Sequence, residues 1–403
     1  MVIPEGWESA ELGEICTKIG SGKTPHGGES VYTIAGIMLI RSQNVDNGKM
    51  LLADVAYIDD EINSTMSNTE LQKNDVLLNI TGASIGRCCT YGLDARANVN
   101  QHVCIIRLKK GINHRLVMYQ LLSIYGQRQI EAFQTGAKQG LNFQQIGKLH
   151  MILPRDNIEQ NDIATVLSDM DGLIVSLEKL LAKKQSIKQG TMQELLTGKK
   201  RLAGFSEEWQ VCKLGEIADI KDGTHQTPHY VDDGIPFYSV ENVSSNDFQH
   251  TKFITESEYK KLTASYHIEY GDVLMTRIGS IGVCKYVNWN AKSAFYVSLA
   301  LLKFKDKDLA LYMSFLSKTM RFKKQVEIHS LQFAVPMKIN LGKIADILIN
   351  FPKNKMEQRA ISTLLSDMDD EISALQQKLA KYRQIKQGMM AELLTGRIRL
   401  REA

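Results

Sequence analysis

The chain has 403 residues, of which 43% are hydrophobic and 23% charged, and its formal net charge is +4. This length predicts two or three domains, because a domain averages about 150 residues. The composition excludes a disordered tail, a collagen-like fibre and a disulfide-stapled peptide. The weak positive charge means that any nucleic-acid surface must arise from local clustering.

The sequence predicts a cytoplasmic protein without a membrane span. Its apolar runs fall short of the roughly 20 residues that a membrane helix needs. The first residues carry Glu5, Glu8, Glu11 and Glu14 and no basic segment of the kind that opens a secretory signal. The six cysteines form no Cys-x-x-Cys pair, so we expect thiols in a reducing compartment.

The first predicted domain, residues 1–155, mixes strands and helices. Its short apolar runs Asp75–Asn79, Val103–Leu108 and His150–Pro154 are bounded by Gly, Asn and Asp, which is typical of strands. A helical stretch is predicted at Leu116–Phe133. The segment is therefore predicted to be a globular domain of mixed α/β structure.

Two long helices are predicted, in residues 156–202 and 354–403. In each helix, apolar residues recur at alternating steps of three and four, which is the period of a coiled-coil seam. Each helix begins near a proline and ends near Thr-Gly, as helix boundaries often do. The predicted packing positions are Ile163, Val166, Met170, Leu173, Leu177 and Leu180 in the first helix, and Leu365, Met368, Ile372, Leu375, Leu379 and Tyr382 in the second.

Residues 203–353, between the two helices, predict a second mixed domain with a helical stretch at Leu309–Val326. The helices repeat each other closely at an offset of 198 residues, and the two domains repeat each other weakly. The helix repeats are Glu159-Gln160 with Glu357-Gln358, Leu167–Asp171 with Leu365–Asp369, Ile187–Gly190 with Ile385–Gly388, and Glu194–Gly198 with Glu392–Gly396. The domain repeats are Leu12–Ile15 with Leu214–Ile217, Thr24–His26 with Thr227–His229, Asp75–Leu77 with Asp272–Leu274, and Ser84–Gly86 with Ser280–Gly282.

The predicted fold class is therefore α+β. Two globular mixed α/β domains are separated by an antiparallel two-helix coiled coil, with a pseudo-twofold internal repeat. The alternative is that each amphipathic helix packs only on its own domain. Two stripes of the same length and register favour pairing with each other.

Few motifs in the sequence point to catalysis. Gly20–Thr24 resembles the end of a phosphate-cradling loop, but Thr17 stands where the first glycine of that motif belongs, and Pro25 follows at once. A glycine turn at the surface is the competing interpretation. The pairs Asp169/Asp171 and Asp367/Asp369 lie two residues apart on helices, so they do not face each other as paired acids would. No zinc-protease, nucleophile-elbow or dinucleotide motif is present.

The repeated helix motifs, with Leu-Gly-Glu-Ile, the Thr-Pro-His loop and Gly-Asp-Val-Leu, resemble the specificity subunit of type I restriction-modification systems. The resemblance covers essentially the whole chain. It implies that each globe is a target recognition domain that reads one half of a bipartite, asymmetric double-stranded DNA sequence. It also implies that the helices are spacers that dock two modification subunits.

The resemblance assigns the chemistry to the partners. The modification subunits are adenine methyltransferases that use S-adenosylmethionine, and restriction (translocase) subunits add an ATP- and Mg2+-dependent nuclease. This chain is then expected to be non-catalytic and to hold no cofactor or metal of its own. Two other hypotheses stay open at this point: a structural adaptor without nucleic acid, and a nucleotide-dependent DNA enzyme that uses Gly20–Thr24.

The candidate DNA-contacting residues have suitable chemistry and lie in loops that match between the two globes. Arg and Lys recognise guanine, Asn and Gln recognise adenine, and Lys, Arg, Ser and Thr anchor phosphates. In the first globe they are Lys18, Ser21, Lys23, Thr24, His26, Arg41, Gln43, Asn44, Thr81, Ser84, Arg87, Lys138, Gln139, Asn142 and Gln144. In the second they are Lys221, Thr224, His225, Gln226, Thr227, His229, Asn242, Arg277, Ser280, Lys285, Gln332 and Lys338.

Overall fold

The computed structural model describes residues 3–134, 140–290, 292–331 and 334–400. The chain divides into two units. Unit 1 comprises Met1–Glu178 and Gln377–Ala403, and unit 2 comprises Lys179–Gln376. The division falls inside the long helices, so each unit contains a globe together with a half of each helix.

Unit 1 is built from short strands and short helices, and the first long helix follows them. The strands are β1 (Trp7–Glu11), β2 (Cys16–Ser21), β3 (Ile37–Ile40), β4 (Val45–Asp46), β5 (Lys49–Met50), β6 (Ala56–Ile58), β7 (Val76–Asn79), β8 (Cys88–Thr90), β9 (Ala97–Val99), β10 (Val103–Leu108) and β11 (His150–Pro154). The helices are α1 (Leu12–Ile15), α2 (Asp60–Ser64), α3 (His114–Leu122), α4 (Ile124–Ala132), α5 (Phe143–Gly147) and the long α6 (Asn157–Leu195).

The elements of unit 2 follow a similar order, but the helix α8 stands where unit 1 has β4 and β5. The strands are β12 (Trp209–Lys213), β13 (Ala218–Asp222), β14 (Tyr230–Val231), β15 (Ile235–Tyr238), β16 (Lys252–Ile254), β17 (Val273–Thr276), β18 (Cys284–Tyr286), β19 (Ala294–Phe295), β20 (Leu299–Phe304) and β21 (Leu348–Pro352). The helices are α7 (Leu214–Ile217), α8 (Val240–Ser245), α9 (Glu256–Leu262), α10 (Lys307–Leu316), α11 (Met320–His329), α12 (Leu341–Ala345) and the long α13 (Lys355–Leu393).

Both units are built on the same antiparallel sheet. Its strand order is β2-β10-β7-β8 in unit 1 and β13-β20-β17-β18 in unit 2. A smaller sheet accompanies each, with order β6-β3-β9 in unit 1 and β14-β16-β15-β19 in unit 2. The pairs β1–β11 and β12–β21 join the start of each globe to the strand that precedes the next long helix.

One of the two inner strands of each main sheet, β7 in unit 1 and β17 in unit 2, is buried on both faces. In β7, Val76 and Leu78 join the core beneath α3, while Leu77 faces a second core shared with the smaller sheet. In β17, Met275 and Leu274 divide in the same way between two cores of unit 2. Adjacent side chains of a strand point to opposite faces, so a continuous apolar run is needed here.

Each of the two helical stretches predicted in the globes is divided into two helices, so the prediction of one continuous stretch is wrong in both units. At Leu116–Phe133, the Ser123 hydroxyl accepts a hydrogen bond from the amide of Gly126 and caps the start of α4. At Leu309–Val326, Thr319 caps α11 in the same manner. A side chain that bonds to nearby backbone competes with helix continuation, which is why both stretches break at these residues.

The long helices pair antiparallel within each unit. In unit 1, Asp171 of α6 bonds to Lys386 of α13 at 2.7 Å, and Glu178 bonds to Arg383 at 2.7 Å. Residue numbers therefore rise on one helix as they fall on the other. In unit 2, Lys184 and Lys188 of α6 pair in the same sense with Glu371 and Asp369 of α13. The predicted antiparallel pairing is thus present in both units.

The phase of the predicted seam needs correction in the first helix. Leu173 and Leu180 are each 38% exposed, whereas Leu167 and Ile174 are buried. The seam steps by four residues from Met170 to Ile174, and the prediction used a step of three. Of the other predicted positions, Ile163, Leu177, Leu365 and Leu379 are buried, and Val166, Met170, Met368, Ile372, Leu375 and Tyr382 are half-buried.

A buried ion pair anchors the start of each long helix. In unit 1, the Arg399 guanidinium bonds through two nitrogens to Glu159, whose side chain is 2% exposed. In unit 2, Arg201 bonds in the same way to Glu357, whose side chain is fully buried. Forked Arg–carboxylate pairs are strong and orient both groups. We call these pairs the two arginine clamps.

Candidate nucleic-acid interface

The Thr-Pro-His loop of unit 1 is anchored at two points and exposed between them. Gly22 lies so close to the carbonyl of Val99 that an added Cβ would be 1.6 Å from its oxygen. Pro25 is buried, whereas Lys23 and His26 on either side of it are exposed. The loop therefore holds polar side chains outward on a fixed backbone.

The matching loop of unit 2 uses the same two anchors. A Cβ on Gly223 would lie 2.4 Å from the carbonyl oxygen of Tyr296, and Pro228 is buried. Thr224 forms an isolated parallel bridge with Tyr296. The exposed residues of the loop are His225, Gln226, Thr227 and His229.

In unit 1, hydrogen-bonded polar side chains link three loops at one end of the strands of the main sheet. Thr24 hydrogen-bonds to the side chain of Gln101, and Gln101 lies 3.0 Å from the Nε2 of His102. The other ring nitrogen of His102 lies 2.6 Å from the hydroxyl of Thr81. The structure thus brings Thr24 and Thr81 into one network.

Sequence reasoning missed Gln101 and His102. They form the turn that leads into β10, and Gln101 is exposed while His102 is half-buried. The sequence did offer one signal, since an amide and an imidazole stand side by side between two buried strands, β9 and β10. These two residues now join the candidate interface.

In unit 2, an ion-pair network occupies the corresponding edge. The Asp222 carboxylate bonds to the Arg277 guanidinium and lies 2.9 Å from the Nε2 of His225. Tyr266 donates its hydroxyl proton to the Asp222 carbonyl at 2.5 Å. The Arg277 side chain is 11% exposed, and within the described part of the chain its Nε has no hydrogen-bond partner.

Two of the asparagines predicted to contact DNA are buried and have structural roles. Asn44 is 1% exposed, and its amide donates to the carbonyls of Leu51 and Asp54. Asn242 is 7% exposed, and its amide donates to the carbonyls of Asp247 and His250 in the same fashion. These amides close turns, so in this conformation neither offers a free edge to a base.

Arg41 packs over the ring of Tyr32, 5.6 Å from its centroid, and bonds to the carbonyl of Asp54. Gln43 donates to the Asp54 carboxylate at 2.5 Å. The Arg41 side chain is only 16% exposed, and its Nε has no partner among the described residues. Arg41 therefore resembles Arg277 in being a mostly buried guanidinium with an unused donor.

The remaining predicted residues occupy varied positions. Several are engaged locally: Lys18 with the carbonyl of Asn68, Arg87 with Asp46, Asn142 as the cap of α5, Thr224 with the carbonyl of Gln226, Ser280 with Ser244, and Lys285 with Asn246. Others lie at element ends or on exposed turns: Ser21, Ser84, Gln144, Lys221 and Lys338. Lys138, Gln139 and Gln332 lie outside the described residues.

The structure does not support a nucleotide site at Gly20–Thr24. Gly20 and Ser21 belong to strand β2, and the next regular element is a short 3-10 turn at Gly28–Val31. A phosphate-cradling loop leads directly into the N-terminus of an α-helix, whose amides bind the phosphates. The close packing of Gly22 on Val99 explains the glycine without a ligand.

All six cysteines are free thiols. Burial raises the pKa of Cys104 and of Cys284 to about 12, so both stay protonated at neutral pH. In the described part of the chain, no group of three His, Cys, Asp or Glu side chains is placed to hold a metal ion, and no helix has the length and apolar character to span a membrane.

Residues 4–189 and 206–384 match the family described as the type I restriction modification DNA specificity domain. The MjaVIII type I restriction enzyme specificity subunit of Methanocaldococcus jannaschii is 23% identical over 427 residues, which cover 99% of this chain and 94% of that protein.

Two solved structures share the fold. The S subunit of a type I restriction-modification system from M. genitalium matches with a TM-score of 0.62 at 15% identity, over 97% of this chain and 96% of that one. The HsdS subunit from Thermoanaerobacter tengcongensis matches with a TM-score of 0.52 at 17% identity, over 99% of both chains. With two matched domains that together span most of its length, the chain belongs to the family of type I restriction-modification DNA specificity subunits.

Proposed function

We propose that unit 1 and unit 2 each read one half of a bipartite, asymmetric DNA target. One observation carries this proposal: both units hold the same anchored Thr-Pro-His loop on the same sheet, while the polar groups beside the loop differ. Unit 1 offers the Thr24–Gln101–His102–Thr81 network, and unit 2 offers Asp222, His225 and Arg277. Because the two scaffolds are alike and the polar side chains on them differ, we expect the two units to recognise different base sequences.

The chemistry of the two networks supports unlike half-sites. A guanidinium such as Arg277 suits the O6 and N7 acceptors of guanine in the major groove. An amide such as Gln101 suits the N6 and N7 of adenine. Glycine-rich loops also let backbone amides approach phosphates closely.

Paired variants test the assignment of halves. His102→Ala in unit 1 and Arg277→Ala in unit 2 are each co-expressed with the partner methyltransferase, and methylated sites are mapped by sequencing. Each variant should relax one half-site, at a cost of about 1–3 kcal/mol in base discrimination, and leave the other half unchanged. Gln210→Ala, at an exposed residue on strand β12 outside the candidate loops, is the control for general damage to unit 2. Relaxation of both halves by either single variant would contradict the proposal.

We also propose that two modification subunits dock on the repeated helix regions. Large apolar residues are exposed at equivalent positions of the two units, as expected of a surface that binds two copies of one partner. In unit 1 they are Ile124 (68% exposed), Ile158 (52%) and Ile385 (38%), and in unit 2 they are Met320 (77%), Met356 (62%) and Ile187 (44%).

An apolar groove of unit 1 adds to this surface. It has a volume of about 380 Å3 and lies between Ile124 at the start of α4 and Met390 and Leu394 near the end of α13. Arg128 and Arg397 also line it, so its rim is positive. An apolar floor with a charged rim is typical of a protein-docking site.

Charge insertion tests the docking proposal. Ile124→Glu and Met320→Glu should each remove one modification subunit, and the double variant should remove both. Native mass spectrometry of co-expressed subunits reads the stoichiometry directly. Leu348→Glu, at a residue that is also exposed but lies on β21, serves as a control that should keep both partners. Two bound subunits in the double variant would overturn the proposal.

In this proposal the chemistry belongs to the partners in the cytoplasm. The modification subunits use S-adenosylmethionine to methylate adenine, and restriction subunits use ATP and Mg2+ for translocation and cleavage. This chain contributes base recognition and docking surfaces. The purified chain alone should then show neither methyl transfer nor ATP hydrolysis, and either activity would contradict the division of labour.

A further inference from the structure

Two glycines of the long helices, Gly190 of α6 and Gly388 of α13, have no structural role that the described part of the chain explains. Both lie within their helices, before the ends at Leu195 and Leu393. Neither has a positive φ, the conformation that favours glycine. Apart from the helix's own backbone, a Cβ added at either position would meet no described atom within 4 Å. Alanine would therefore fit at both positions.

Glycine destabilises a helix at such a position. It loses more backbone freedom on folding than any other residue, and only proline is less favourable in a helix interior. Gly172 of α6 is equally open, but Asp370 stands at the matching position of α13. Of the glycines within the two long helices, only the pair Gly190 and Gly388 occurs in both. The repeat has thus kept an unfavourable residue twice.

Each of these glycines lies on a strip of exposed side chains that is identical in the two helices. The members of a strip follow one another at steps of four, three and four residues, which place them on one helix face. Seven of the eight residues are exposed, and Glu392 is half-buried. The strips, which we call the two outer strips, are Lys183, Ile187, Gly190 and Glu194 on α6, and Lys381, Ile385, Gly388 and Glu392 on α13.

Other exposed positions in the same stretch of the helices have diverged. Gln185 matches Arg383, Ser186 matches Gln384, and Gln193 matches Ala391. The inward face is alike for a reason that the structure shows. Met192 and Leu195 pack into the core of unit 2. Met390 and Leu393 pack into the core of unit 1. The outer strips face solvent, so a requirement outside this chain accounts for their identity.

A surface that occurs twice suits two copies of one partner, and the modification subunit is the partner proposed above to bind twice. In unit 1 the outer strip adjoins the groove of that proposal, because Gln387 and Ala391, on either side of Gly388, line the groove. Each strip spans about 16 Å along its helix. Its spacing is that of a face on which a second helix packs. A bare glycine in the middle allows another backbone to approach closely.

We infer that an α-helix of each modification subunit crosses the long helices at Gly190 and at Gly388, in close contact with their backbone. The glycines are then positioning residues: they weaken the free helices, but a methyl group in their place would hold the partner away. This inference rests on the proposed function, because the occupant is the modification subunit. It adds the place of contact, and it requires that stability and assembly respond to alanine in opposite directions.

The test makes Gly190→Ala and Gly388→Ala in the full chain, singly and together. Calorimetry of the free chain should show a melting temperature raised by about 2–4 °C for each alanine, because alanine favours the helix. Titration with the purified modification subunit should show one of two sites weakened on the order of tenfold in each single variant, and both sites weakened in the double variant. A structural role within this chain would instead lower the melting temperature.

Two further variants sharpen the result. Gly172→Ala is the matched control, because this glycine is equally open but lies outside the outer strips. It should raise the melting temperature by the same amount and leave both sites unchanged. Gly388→Leu should weaken its site further than alanine does, although leucine also favours the helix.

A raised melting temperature with unchanged binding in the alanine variants would overturn the inference and leave the proposed docking intact. A lowered melting temperature, or weaker binding in Gly172→Ala, would also overturn it. If light scattering shows that the unaltered chain self-associates and that the alanine variants do not, the occupant is a second copy of the chain and the inference is wrong. If the unaltered chain binds no modification subunit, the proposed docking itself fails.

Discussion

Unit 1 and unit 2 share a sheet order and a loop anchor but differ in the charge of the site beside them. In unit 1, Thr24 and Thr81 are joined through Gln101 and His102, which are amide and imidazole groups. In unit 2, the corresponding edge holds the Asp222–Arg277 ion pair.

The scaffold of each unit and its recognition chemistry are therefore separable in this chain. The buried parts of the repeat keep their roles: Pro25 and Pro228 anchor the loops, and Gly22 and Gly223 pack on the neighbouring backbone. The exposed parts have diverged. A repeat of this kind preserves geometry and varies chemistry, which suits two readers of unlike sequences.

The largest expected effect is the loss of stability when an arginine clamp is broken. This loss should be equal in the two units. Arg399→Ala leaves Glu159 buried without a partner, and Arg201→Ala does the same to Glu357. Removing one partner of a buried pair costs about 3–5 kcal/mol, and we expect that loss in the free energy of unfolding, measured by urea titration. Arg397→Ala is the control, because Arg397 and its partner Glu392 are both more exposed, and it should cost less than about 1 kcal/mol.

A clamp variant as stable as Arg397→Ala would show that the buried pair does not anchor its helix. A large loss in one unit and none in the other would break the equivalence of the two clamps.

A smaller effect separates the two loop anchors. Gly22→Ala would place a Cβ 1.6 Å from the oxygen of Val99, whereas Gly223→Ala would place one 2.4 Å from the oxygen of Tyr296. Overpacking of this kind costs about 1–3 kcal/mol, and the effect should be greater for Gly22. Methylation mapping should show loss of recognition only in the half read by the altered unit.

Gly20→Ala is the matched control for the loop anchors, since its nearest neighbour would be 4.0 Å away. Equal damage from all three alanines would mean that the close approach at Gly22 and Gly223 is not what holds the loops.

The smallest effect concerns two equivalent tyrosines beneath the helices. The Tyr119 hydroxyl donates to the Asp171 carboxylate at 2.8 Å, whereas the buried Tyr312 hydroxyl has no hydrogen-bond partner among the described residues. Tyr119→Phe should destabilise unit 1 by about 1.5 kcal/mol, the value of a hydrogen bond to a charged group. Tyr312→Phe should leave stability unchanged or raise it slightly. Thermal melting of the two variants compares them directly, and an equal loss in both would contradict the assignment of partners.

Much of the fold could be predicted from the sequence, because repeats and periodicity are local signals. The antiparallel pairing and the Thr-Gly helix ends follow from such patterns, and Gly198 and Gly396 do adopt the positive φ of helix-terminating glycines. The phase of the first seam was wrong at Leu173 and Leu180. An apolar stripe with alternating steps of three and four residues can begin with either step. Where apolar residues stand at both possible positions, as at Leu173 and Ile174, the sequence does not decide between them.

The site was harder to predict, because a polar residue type does not show where its side chain points. Asn44 and Asn242 were chosen for their amides, yet those amides close turns in the interior. Gln101 and His102 were missed because their partners, Thr24 and Thr81, are distant in sequence. Likewise, no local pattern shows that an arginine past the end of one helix binds a glutamate at the start of the other.

Recognition of one interrupted DNA sequence by two unlike units is tested most directly on the unaltered chain. The measurement is a single-molecule methylation map of DNA from cells that co-express the chain with its modification subunit. We expect two different short half-sites separated by a fixed gap of unspecified bases. A single uninterrupted site, or two identical inverted halves, would contradict it.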